Sequence, residues 1–82
     1  MANIKRIIEN DTKVLNAVDR HWREHCLPPS IRWVSEQSGV SSFSHVASIY
    51  TKLEEYGYLS VVNGKPVPQW VSKALEGSHA AS

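Results

Sequence analysis

Four breaks constrain what this chain can fold into: Pro28-Pro29, Gly39, Gly57 and Asn63-Gly64. Proline stops a helix because it lacks the N–H and restricts the residue before it. Between the breaks, apolar residues recur at helical steps. Val14, Leu15, Val18 and Trp22 share one face of a first helix over about Thr12 to His25, with Asp11 as its expected N-cap. Ile4, Ile7 and Ile8 continue the spacing upstream and suggest a short helical turn. A second helix begins after the capping residue Ser30, turns Ile31 and Val34 inward and ends at Ser38-Gly39. The turn Gly39-Val40-Ser41 follows, with Val40 as its apolar plug. A third helix starts at Ser41 or Ser42 and runs to about Tyr56 on Val46, Ile49, Tyr50, Leu53 and Tyr56, and Gly57 caps it.

Beyond Gly57 the period changes. Tyr58 to Val62 reads as a strand, and Lys65 to Val71 as its return. Asn63-Gly64 between them is the strongest short hairpin signal, because a type I′ turn needs positive φ at both positions. Pro66 and Pro68 donate no ladder hydrogen bond, so the return strand is an edge strand. Ser72 to Glu76 adds one short helical turn, and the small, polar residues 77–82 read as a flexible tail or the start of a linker. A two-stranded hairpin is marginal alone, so it must pack on the helices. The expected fold class is mainly α with a small β-hairpin (α+β), in one domain over residues 1–76.

Composition narrows the function. A chain of 82 residues is one domain and too small for a typical enzyme cleft. Nine Lys+Arg against eight Asp+Glu give a net charge of +1, which excludes a histone-like basic tail and an acidic disordered chain. It does not exclude a small DNA-binding face, because net charge says nothing about distribution. One cysteine leaves no disulfide framework, so a reducing, cytoplasmic setting is expected. The sequence contains no apolar run of membrane-spanning length and no secretory h-region after Met1. No Ser-His-Asp set, Cys-His pair or phosphate loop appears at a meaningful spacing, so no enzyme is expected. His21, His25 and Cys26 sit together, but no second cluster supplies the remaining ligands, so neither metal nor cofactor is expected.

The order helix, helix, tight turn, helix, hairpin resembles a winged helix-turn-helix: three helices plus a two-stranded wing. The resemblance becomes specific in Pro28-Pro29-Ser30-Ile31-Arg32-Trp33-Val34-Ser35-Glu36-Gln37-Ser38-Gly39-Val40-Ser41-Ser42 and in Leu53-Glu54-Glu55-Tyr56-Gly57-Tyr58-Leu59. Over roughly residues 10 to 71 the chain is similar to the DNA-binding domain of the LexA repressor family. The family's Pro-Pro, its Gly-apolar-x-Ser turn and its Leu-x-x-x-Gly helix end are present in order. Departures are equally specific. Cys26 stands where the family usually has a glycine, and Phe43 and His45 replace its polar or small residues. Any operator therefore differs from the usual one. The stretch after residue 72 is too short for the family's Ser-Lys self-cleavage domain, so self-cleavage is not expected of this chain.

The resemblance implies sequence-specific binding of double-stranded DNA by a transcriptional repressor or related regulator of bacterial or phage type. In a helix-turn-helix the second helix of the pair enters the major groove, with its N-terminal residues nearest the bases. Subtracting the core positions leaves Ser41, Ser42, Phe43, Ser44, His45, Ser48 and Lys52 as contact candidates. Residues Gln37 to Thr51 carry no acidic or formally basic side chain, a run of fifteen with no carboxylate to repel phosphate. Serine hydroxyls donate and accept, His45 donates to guanine or phosphate, and Phe43 meets a thymine methyl. The competing reading of the serines is capping and a solvated face. Arg32 and Lys65 are phosphate candidates, with plain solvation as the alternative. Asn63 would bring the wing tip to the minor groove, or serve turn geometry alone. So few cations imply modest affinity for one site, which argues for a homodimer on a two-part operator. No membrane partner is expected. Trp33 either covers the core edge, the preferred reading, or marks a partner surface. Two rival functions stay open: a winged-helix protein-interaction module, and a phage or plasmid replication-origin binding protein. An acidic surround from Glu36, Glu54 and Glu55 would count against DNA, and a positive or neutral face ringed by Arg32, Lys52 and Lys65 would support it.

Overall fold

In the computed structural model, which describes residues 7–80, the sequence breaks separate the elements. They are α1 (Glu9–His25), α2 (Ile31–Ser38), α3 (Phe43–Glu55), β1 (Leu59–Val62), β2 (Lys65–Pro68) and α4 (Gln69–Ala80). The periodic apolar residues meet in one core. Val14 and Val18 of α1, Val34 of α2, Val46, Ile49, Tyr50 and Leu53 of α3, and Leu59 of β1 are all buried. Ile31, Leu15 and Trp22 pack against its rim.

Helix α1 starts three residues earlier than expected. Ile8 takes the capping position, and Asp11 lies inside the first turn, where its Oδ2 accepts the Ile8 N–H at 3.0 Å. A carboxylate reaching back satisfies the N–H of the capping residue itself, the half of a capping box that the third helical residue supplies. Ile7 and Ile8 precede the helix, so they form no helical turn of their own, and Ile4 lies outside the described residues. At the other end Cys26 caps α1 at φ 56°, and its N–H donates to the Trp22 carbonyl. The chain thus makes the left-handed cap that normally favours glycine with a cysteine. Cys26 is exposed rather than a small buried core residue.

Ser30 and Ser42 cap α2 and α3, accepting the N–H groups of Trp33 and His45. Between the two helices, two buried hydroxyls close the turn. Ser35 donates to the Val40 carbonyl, and Ser38 accepts the Val40 N–H at 3.3 Å. Val40 is 5% exposed and plugs the turn as expected. Helix α3 ends in a paired motif: Tyr58 N–H donates to the Leu53 carbonyl and Gly57 N–H to the Glu54 carbonyl, with Gly57 at φ 84°.

The hairpin has the register Leu59↔Pro68, Ser60↔Val67, Val61↔Pro66, Val62↔Lys65. Asn63 and Gly64, at φ 53° and 78°, form the two-residue turn. The pair closing such a turn is hydrogen-bonded and pairs alternate, so both prolines fall where no ladder donor is needed. The outward edges are covered by side chains. Glu54 of α3 accepts the Val61 N–H at 3.1 Å, and the Trp22 indole of α1 donates to the Pro66 carbonyl at 2.9 Å. These two bonds hold the wing on the helices.

The return strand stops at Pro68 instead of reaching Val71, and the single turn expected at 72–76 is the middle of α4. Val71 is buried, the Trp70 indole donates to Asp19 of α1, and the Arg23 guanidinium lies 5.0 Å above the Trp70 ring. Tertiary packing on α1 therefore decides for helix here. Residues 77–80, expected to begin a tail, belong to α4, and residues 81–82 lie outside the described residues.

Candidate nucleic-acid interface

Packing of Val46, Ile49, Tyr50 and Leu53 inward turns the rest of α3 outward. Phe43, Ser44, His45, Ala47, Ser48 and Thr51 are exposed, as are Ser41 and Ser42 before the helix. Phe43, at 50% exposure, puts a bare ring beside the helix start. All six serine, aromatic and histidine candidates on this segment thus share one open surface. The hydroxyl of Ser42 is engaged in capping, so the N–H groups nearest it are its remaining offer. Ala47 and Thr51 complete the surface and were not singled out from sequence; Thr51 also bonds the Ala47 carbonyl. Their signal was available, since both fall off the apolar stripe.

The cations are placed differently from the expected ring. Lys52 of α3 reaches back to α1, its Nζ 2.6 Å from Asp11 Oδ2. Asp11 is only 2% exposed. Burial works to raise its pKa, but the Lys52 ammonium and the Ile8 N–H outweigh burial and hold the carboxyl below its usual 3.8. The same contact raises the Lys52 pKa above its usual 10.5. Arg32 pairs with Glu36 one turn on, at 3.6 Å on an exposed face, where such a pair is weak and easily exchanged for another anion. Lys65 at the wing has no ion-pair partner among the described residues, and Asn63 and Gly64 are exposed at its tip.

No carboxylate lies within residues 41–51, but Glu55 at the end of α3 is exposed one turn beyond Thr51. Glu36 is turned to Arg32, and Glu54 to the Val61 N–H. The face carries no carboxylate over residues 41–51, but the ring of Arg32, Lys52 and Lys65 expected around it is incomplete, because Lys52 is turned to Asp11. Trp33 is half-buried against the core edge, edge-on to His21 at 4.9 Å with the Arg20 guanidinium 5.6 Å from its ring centre. That is the preferred of its two readings, and Arg20 bonds Gln37 of α2 at 2.6 Å beside it. Among the described residues no three His, Cys, Asp or Glu side chains cluster as metal ligands. An apolar groove lined by Trp22, Cys26, Trp70, Val71 and Ala74 lies between α1 and α4 and includes no α3 residue. No described helix is long and apolar enough to cross a membrane.

A two-helix unit joined by a tight turn, with an exposed second helix and a pinned hairpin, defines a winged helix-turn-helix domain. The family model for the LexA DNA binding domain matches residues 5–67, and the chain belongs to that family. It is 40% identical over 60 residues to the LexA repressor of Thermobifida fusca (strain YX), a match that covers 73% of this chain and 24% of that relative. The chain therefore spans about a quarter of the length of the curated relative it matches. No solved structure matches.

Proposed function

We propose that this chain is the DNA-reading domain of a sequence-specific transcriptional repressor. The single observation that carries the proposal is the open outer face of α3 over residues 43–51, which bears no carboxylate, set on a fold whose family is named for DNA binding. Helix α3 would enter the major groove, with Ser41, Ser42, Phe43, Ser44, His45, Ser48 and Thr51 nearest the bases. Arg32 and Lys65 would fix register on phosphates, and Asn63 would bring the wing tip to the backbone or minor groove. Such a repressor works where the chromosome is, in the cytoplasm of a bacterial cell. Residues 1–76 would form the reading domain, and 77–82 would lead out of it. With few free cations, two copies on a two-part operator would supply the affinity that one lacks.

Selection of bound sequences from random duplex DNA at low salt tests this. One motif is expected to be enriched, and Ser44→Ala combined with His45→Ala is expected to abolish or change it. Absence of any enriched sequence would refute the repressor reading. Enrichment unchanged by the double substitution would remove α3 from its role.

A further inference from the structure

We infer that Asp11 is a specificity-determining residue that withholds the only lysine or arginine of the reading helix from the DNA backbone. The inference rests on the DNA reading above. Helix α3 contains one lysine and no arginine, and that lysine is Lys52. It stands one turn beyond Ser48 and two beyond His45, half-buried at the edge of the outward face. A lysine at that position normally extends to phosphate, where each neutralised phosphate adds sequence-independent affinity. Here it turns away. Its Nζ lies 2.6 Å from a carboxylate oxygen of Asp11, which is itself almost wholly buried. The same oxygen is fixed by the Ile8 N–H at 3.0 Å, so the carboxylate cannot follow the lysine outward without uncapping α1. Asp11 is thus an anchored internal counterion rather than a surface partner that a phosphate could replace, as it could replace Glu36 beside Arg32.

Two consequences follow. The first three turns of α3 gain no ammonium from Lys52, so discrimination there rests on base contacts rather than bulk charge. Changing the carboxylate alone should convert a selective reader into a stickier, less selective one.

The test compares wild type, Asp11→Asn, Lys52→Gln and the double variant by the slope of log binding constant against log salt, on the selected duplex and on an unrelated one. The slope reports released counterions, which a merely structural role of Asp11 would not increase. Asp11→Asn is expected to steepen the slope by about 0.9, an extra loss of about 3.5-fold across a fourfold rise in salt. It should also tighten binding to the unrelated duplex at low salt. Lys52→Gln alone should leave the slope unchanged, and the double variant should return to the wild-type slope even if it is less stable. A slope unchanged in Asp11→Asn overturns the inference, and so does one that falls by about 0.9 in Lys52→Gln alone. If wild type binds no duplex at all, the DNA reading itself falls, and this inference with it.

Discussion

Replacing Leu53 with alanine is expected to lower the midpoint of thermal unfolding by at least about 10 °C. Leu53 is fully buried, near the end of α3, and packs in the cluster that joins α1, α2, α3 and β1. Its truncation removes apolar contact and leaves a cavity that the surrounding helices fill only in part. Such changes cost about 2–5 kcal/mol. A domain of this size holds roughly 5–15 kcal/mol in total and loses about 4–8 °C per kcal/mol. The backbone bond from the Tyr58 N–H to the Leu53 carbonyl remains in the variant, so the fall reports lost side-chain packing. Melting followed by circular dichroism checks this, with Thr51→Ala on the exposed face as control. The control should shift stability by no more than about 0.5 kcal/mol. A fall of less than about 3 °C for Leu53→Ala would mean that α3 does not pack as described.

The second large effect is on binding. Ser44→Glu combined with Ser48→Glu is expected to weaken binding to the selected duplex by at least about 30-fold, from two contacts worth about 1–3 kcal/mol each. Both serines are exposed one turn apart on α3. Their replacement puts two carboxylates where the native surface has none. Stability should not suffer. Glutamate is at least as good a helix former as serine, and Ser44 lies in the first turn, where a negative charge complements the helix dipole. Binding measured by fluorescence anisotropy, alongside a melting curve, separates the two effects. Affinity within about threefold of wild type, with the fold intact, would place the contact surface elsewhere.

The elements that sequence located were those whose signal is local. Gly39 ended α2 where it stands, Ser30 and Ser42 capped α2 and α3, and Asn63-Gly64 made the two-residue turn. The exposed serine face of α3 was legible because it is the complement of an apolar stripe. What sequence missed was set by distant contacts. Val67, Gln69 and Val71 alternate like a strand, yet Trp70 reaches Asp19 and Arg23 of α1, Val71 is buried, and α4 forms instead. Asp11 looked like a helix cap and Lys52 like a phosphate contact, each sensible alone. Only the approach of α1 to α3 makes them partners. Nothing in the sequence marks Ser35 and Ser38 as buried; the tightness of the turn brings both hydroxyls against Val40.

The central claim is that DNA lies against the outer face of α3. Mapping backbone amide chemical shifts while the selected duplex is titrated into the labelled protein tests it most directly. The account predicts the largest changes at residues 41–51 and at the wing tip, 63–65, with the groove lined by Trp22, Trp70 and Val71 unmoved. Changes concentrated in that groove, with α3 silent, would contradict it.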